Sequence, residues 1–205
     1  MTVSRFKDHD KPQLVQTLRN INPRQYWSMY AVSIHPIERF LDNFFKYCPR
    51  DSLMGNHSKI ICYGCWDDMG CLIDKLYDQF WKVIKKKDKL TIGDYIFAPY
   101  SWRCNFKYNL KDYIKLNVSN ENIFFDEIDK ILKRYRIDKN RKKLIGNYIN
   151  DMFDNRTGRM VSNDLRLVYD SELQRKQNVV EKFLSIYYYD YVNFNFELPK
   201  FPTSL

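Results

Sequence analysis

Five cysteines are the first residues whose type and spacing suggest chemistry: Cys48, Cys62, Cys65, Cys71 and Cys104. Three fall within ten residues, with His57 just upstream, giving His57-x4-Cys62-x2-Cys65-x5-Cys71. Four N/S ligands suit tetrahedral zinc, and a Cys-x2-Cys half-site turns both thiolates toward one ion. A structural zinc site on His57, Cys62, Cys65 and Cys71 is therefore one reading. Against it, a second Cys-x2-Cys or a His-x3–5-His is missing, so buried free thiols are the reading favoured. A redox Cys-x2-Cys lacks the neighbouring βαβ pattern that would support it. An odd count with no apolar leader segment argues against a disulfide framework and for an intracellular place: the cytoplasm or nucleus of a host cell, or a virion.

Charge is the second chemical signal. The chain carries 34 Lys and Arg against 25 Asp and Glu, a formal net charge of +9 over 205 residues. Two short windows hold all of the excess. Residues 130–143 contain Lys130, Lys133, Arg134, Arg136, Lys139, Arg141, Lys142 and Lys143 against Asp138 alone. Residues 82–89 contain Lys82, Lys85, Lys86, Lys87 and Lys89 against Asp88. The rest of the molecule is slightly acidic. Lys139, Arg141, Lys142 and Lys143 fall in the first turns of an expected helix, where the macrodipole disfavours cations. A phosphate there would take both the free backbone N–H groups and the side-chain charge. DNA or RNA is the partner this implies, through Lys130–Lys143 with help from Lys85, Lys86, Lys87 and Lys89. A merely solvated basic face is the bland alternative.

Familiar catalytic groupings are missing. The three histidines are His9, His35 and His57, and there is no Gly-rich phosphate loop, G-x-S-x-G or H-E-x-x-H. Acids Asp126 and Glu127 in a helix's first turn are ordinary dipole complements. The sequence therefore reads as a nonenzymatic nucleic-acid-binding accessory protein. Its scarcity of Ala and Gly, with abundant Tyr, Phe, Ile, Asn and Lys, suggests a biased genome such as a virus or a parasite. The alternative is a structural, assembly or host-interaction protein. It would use exposed aromatics and a C-terminal strand for a protein partner or self-association.

The elements that must carry these groups follow from periodicity. Trp27, Met29 and Ala31 alternate with polar neighbours, as in a strand. Pro36 suits a helix start, and Ile37, Phe40, Leu41, Phe44 and Phe45 recur at helical spacing up to Pro49. Residues 49–58 read as a loop. Leu72, Ile73, Leu76, Tyr77, Phe80, Trp81 and Ile84 form the apolar stripe of a long helix. Residues 90–118 look extended, with Phe106, Tyr108 and Leu110 alternating. Ser119 and Asp138 are expected caps of a basic helical hairpin, whose second helix turns Leu144, Ile145, Tyr148, Ile149, Met152 and Phe153 inward. Residues 154–161 read as a turn. Ser171 with Gln174 reads as a capping box. Val192, Phe194, Phe196 and Leu198 alternate as a terminal strand. The expected fold is α+β and mainly helical, with a few short antiparallel strands, in one globular domain over 1–205. A subdivision at 1–118 and 119–205 is conceivable. The longest uncharged stretch, Tyr26–Ile37, is about half of what a bilayer-spanning helix needs.

Overall fold

The computed structural model describes residues 28–49, 57–104, 106–119, 121–158 and 176–199, with 167, 171 and 173 besides. Strand β1 (Met29–Ser33) runs directly into helix α1 (Pro36–Tyr47). Proline opens α1, where its missing N–H costs nothing. Ile37, Phe40, Leu41 and Phe44 then turn inward. A short α2 (His57–Ile61) precedes the long α3 (Met69–Ile84). Asp68 caps α3 by accepting the Cys71 N–H at 2.9 Å. Helices α4 (Ile92–Phe97) and α5 (Phe106–Asn109) lead to β2 (Tyr113–Asn117). Then follow α6 (Glu121–Arg134), α7 (Lys139–Gly158) and α8 (Gln177–Phe194). The fold is mainly helical, as expected.

The two strands pair in parallel, Met29 with Tyr113 through Ser33 with Asn117. This corrects the antiparallel expectation. A hairpin joins antiparallel neighbours by a few residues, whereas here all of α1 to α5 lies between the strands, and such a crossover returns the chain in the same direction. Both strands therefore end on one edge, and each feeds a helix: α1 after β1, α6 after β2. The His35 N–H donates to Ser119 Oγ at 2.7 Å and ties the two exits together. Ser119 was expected to cap the following helix; its hydroxyl accepts the His35 N–H at this junction.

The main core lies between α1, α3, α4 and α8. Leu72, Ile73, Leu76 and Val83 of α3 are fully buried beside Val180, Phe183, Tyr187 and Tyr191 of α8. Phe40 sits at the centre, its ring 5.4 Å from Phe183, 5.6 Å from Phe97 and 6.2 Å from Phe44. Aromatic rings supply the volume in a chain with little alanine, and each buried one is worth roughly 2–3 kcal/mol by area.

Several local expectations give way to packing and capping. Residues 92–97 are helical where extended chain was expected, because Thr91 and Asp94 form a reciprocal capping box. Gly93 permits α4 to lie on α2, since a Cβ there would stand 2.4 Å from the Ile61 carbonyl oxygen. Phe106, Tyr108 and Leu110 wind into α5 and a 3-10 turn, and only 113–117 is strand. The terminal strand is absent too: α8 continues through Phe194 and stops at Asn195 in the left-handed conformation. Tyr187, Asp190, Tyr191 and Phe194 recur at helical spacing and are all buried, which outweighs the period-two alternation of 192–198. This removes the terminal strand, one of the two features that the assembly reading used.

Residue 171 is itself helical, and α8 begins only after Lys176, with no side-chain cap. The expected turn at 154 is likewise helical, as α7 runs to Gly158. Within α7, Leu144 and Tyr148 are 68% and 70% exposed, so they do not turn inward as periodicity suggested. The side chains of Met152 and Phe153 lie outside the described residues.

Candidate active site

A cleft of about 470 Å³ opens between α1 and α4, lined by Arg39, Asn43, Tyr47, Ile92, Tyr95, Ile96, Tyr100 and Arg103. Helical spacing from Arg39 to Asn43 to Tyr47 sets three of these on one stripe of α1. Asn43 Nδ2 donates to the Ile96 carbonyl at 3.1 Å and holds the two helices together. The opposite wall comes from α4 and from the 3-10 turn at Tyr100–Trp102.

Arg39 is the organising cation. Its Nη1 donates to the Ala98 carbonyl at 2.9 Å, and its guanidinium carbon lies 4.1 Å from the centre of the Tyr100 ring. Nη2 stands 3.6 Å from Asp190, whose side chain is fully buried. The backbone N–H groups of Tyr100 and Ser101 donate to the two Asp190 oxygens at 2.7 and 2.8 Å. Burial pushes the Asp190 carboxyl up, while Arg39 and the two N–H groups hold it down. The net direction is upward, and both oxygens of the side chain accept backbone N–H groups. Tyr187, beside this pair, donates its hydroxyl to the Phe97 carbonyl at 2.7 Å, and burial pushes its phenol up.

Arg103 is the second cation of the cleft. Its Nη2 donates to the Tyr95 carbonyl. Burial, and then repulsion from Arg39, press its pKa downward. Arg39 Nε and Nη2 have no hydrogen-bond partner among the described residues.

The residues singled out from sequence lie elsewhere. Cys62 is bonded to Cys48, and Cys65 to Cys71, with Cα separations of 5.5 and 5.6 Å. Thiolate ligation of zinc is thereby excluded, and so is the free-thiol reading of these four; the odd cysteine left over is exposed Cys104. Among the described residues no group of three or more His, Cys, Asp or Glu is placed to hold a metal ion. His57 opens α2. The first bridge ties the end of α1 to the residue after α2, and the second ties that turn to the start of α3.

The basic residues occupy helix ends. Lys85 follows α3 and sits 5.3 Å over the Trp81 ring, with Lys86, Lys87 and Lys89 exposed beyond it. Lys130, Lys133 and Arg134 are on the last turns of α6, and Arg136 lies in the link with a positive φ. Lys139, Arg141, Lys142 and Lys143 open α7 as expected. The anion that this helix start calls for is supplied by the chain. Asp138 accepts the Arg141 N–H at 3.0 Å and pairs with Arg141 Nε at 3.2 Å. Asp129 bridges Lys133 at 2.5 Å and Lys142 at 3.7 Å. The electrostatic case for a bound phosphate at this terminus falls away.

A profile of the Sulfotransferase family matches residues 2–197. This chain belongs to that family. An uncharacterized protein of Caenorhabditis elegans is 24% identical over 190 residues, covering 91% of this chain and 52% of the relative. A carbohydrate sulfotransferase of the same animal, chst-1, is 26% identical over 182 residues, covering 79% of this chain and 50% of the relative. The chain thus spans about half the length of these curated relatives. No solved structure matches. Membership in a sulfotransferase family overturns the nonenzymatic, nucleic-acid-binding, viral reading, together with DNA or RNA as partner.

Sequence reasoning missed the whole cleft. One signal was present: Asp190 stands inside the aromatic run Tyr187–Tyr191, on the helical face that carries the core rings. An acid there requires a buried cation, and Arg39, beside Phe40 and Leu41 of α1, is that cation. Among the described residues no helix is long and apolar enough to cross a membrane.

Asp190→Asn leaves the Arg39 charge buried without its counterion. It should lower unfolding free energy by about 3–5 kcal/mol in urea melts, whereas a loss below about 1 kcal/mol would deny the pair a structural role. Thiol labelling of unfolded, unreduced protein should modify one cysteine, Cys104; modification of all five would contradict the two bridges.

Proposed function

We propose that this chain is the catalytic core of a carbohydrate sulfotransferase, moving a sulfuryl group from 3′-phosphoadenosine 5′-phosphosulfate to a sugar hydroxyl. The observation that carries this reading is the family match across residues 2–197, with a carbohydrate sulfotransferase among the relatives. In the reaction the acceptor oxygen forms a bond to sulfur as the bond from sulfur to the donor phosphate breaks. The hydroxyl proton leaves to a base.

The fold supports such chemistry in two ways. The carboxyl edge of a parallel pair, where strands pass into helices, is where open α/β sheets place ligands. Here that edge is fixed by the bond from His35 to Ser119, and the positive end of the α1 dipole suits an anionic donor. Nearby, the Arg39 cleft is cationic and walled by tyrosines, as a sugar-binding surface requires. The electrostatic work of transfer is to hold the anionic groups and to stabilise charge as it moves.

The two disulfides support work in an oxidising compartment, in place of the intracellular setting expected from the cysteine count.

The test is transfer of ³⁵S from labelled donor to a panel of neutral and acidic polysaccharides, alongside equilibrium binding of the donor. Label in polysaccharide that depends on the protein is the expected result. Failure of both transfer and donor binding by folded, oxidised protein would overturn the reading.

A further inference from the structure

We infer that the corner between α6 and α7 is a docking surface for an anionic polysaccharide, separate from the cleft. The carbohydrate part of this inference rests on the sulfotransferase reading; the anionic part rests on the corner itself.

Eight cations between Lys130 and Lys143 face two carboxylates, Asp129 and Asp138. Those two carboxylates hold Lys133, Arg141 and Lys142. Lys130, Arg134, Arg136, Lys139 and Lys143 are exposed and form no ion pair among the described residues. The pair from Lys142 of α7 to Asp129 of α6 draws the two helix ends together, so these five charges share one corner. Like charges at this density repel one another, and a polyanion relieves the repulsion while releasing its own counterions. No pocket for a single anion is involved, since Asp138 already accepts the Arg141 N–H at the start of α7.

Arg136 adds charge to the corner against the preference of the backbone. Helix α6 ends in a Schellman turn: the Ile137 N–H donates to the Leu132 carbonyl and the Arg136 N–H to the Lys133 carbonyl, both at 3.0 Å. The left-handed residue of that turn is Arg136, with φ 53°, where glycine would carry no steric penalty.

The apolar residues beside the cations indicate what carries the anions. Tyr135 is 42% exposed between Arg134 and Arg136. On α7, Leu144 and Tyr148 are 68% and 70% exposed, and helical spacing sets them on one face with Arg141. A nucleic-acid duplex presents phosphates outside and buries its bases, so it leaves such residues unused. A sugar chain alternates anionic groups with the C–H faces of its rings, and those faces pack on tyrosine and leucine.

Fluorescence anisotropy with labelled dextran sulfate, and with neutral dextran as the uncharged control, tests the assignment. Dextran sulfate should bind, neutral dextran should not, and affinity should fall about tenfold or more between about 50 and 200 mM sodium chloride. The triple variant Lys130→Gln, Arg136→Gly, Lys139→Gln should weaken binding about tenfold or more. Removing the same charge at the end of α3, by Lys86→Gln, Lys87→Gln and Lys89→Gln, should change it by less than about twofold. Arg136→Gly alone relieves the left-handed arginine, so it should weaken binding without lowering the urea midpoint, which separates lost charge from lost fold. The inference is overturned if dextran sulfate fails to bind, if the two triple variants lose affinity equally, or if duplex DNA at equal charge concentration binds more tightly than dextran sulfate. None of these readouts requires donor or turnover, so a failure here is distinct from a failure of sulfuryl transfer.

Discussion

The structure depends on one buried ion pair. Asp190 of α8 and Arg39 of α1 meet in the interior, and between them they bind backbone groups of three residues, Ala98, Tyr100 and Ser101. Arg39 takes the Ala98 carbonyl, and Asp190 takes the N–H groups of Tyr100 and Ser101. That segment follows α4 and turns sharply after Pro99. Its polar groups have no strand or long helix to satisfy them, and burial without partners would cost several kcal/mol. The pair supplies those partners. It thereby fixes α1, α4 and α8 relative to one another, and the cleft walls with them.

Such an arrangement is costly to assemble, because both charges leave water. The cost is offset by close hydrogen bonds and by aromatic packing on the cation. Tyr100 stacks on the guanidinium, Tyr187 lies 5.5 Å from it, and Phe40 and Phe183 close the far side of Tyr187. The disulfide from Cys48 to Cys62 then anchors the other end of α1. A helix pinned at both ends is a rigid support for a ligand site, and rigidity is what positioning requires. At its N-terminal end α1 also meets the carboxyl edge of the parallel strands. One helix therefore joins the strand edge to the cationic cleft.

How much of this was legible in the sequence depended on the range of the forces involved. Helices α1, α3 and α6 declared themselves, since Pro36, the Leu72–Ile84 stripe and the Phe124–Leu132 spacing are local signals. So did the Asp138 cap. Where two local patterns competed, the sequence was ambiguous. The segment 192–198 alternates like a strand, yet Tyr187, Asp190, Tyr191 and Phe194 continue a helical face whose burial decides the matter. The direction of strand pairing was not legible, because it follows from where five intervening helices pack. Cysteine pairing was hidden for the same reason. Spacing along the chain suggested zinc, while the fold brings Cys48 to Cys62, 14 residues apart in sequence. The cleft residues Arg39, Asn43, Arg103 and Asp190 come from distant positions, so no short motif held them. Charge density drew attention to Lys130–Lys143 instead, where Asp129 and Asp138 pair with Lys133, Arg141 and Lys142.

A double-mutant cycle on Arg39 and Asp190 tests the central claim most directly. Urea unfolding would be measured for Arg39→Met, Asp190→Leu and the double variant. If the pair organises the fold, each single change strands a buried charge, and the double change recovers much of the loss. A coupling energy of about 2 kcal/mol or more is then expected. Losses that simply add, within about 0.5 kcal/mol, would contradict it.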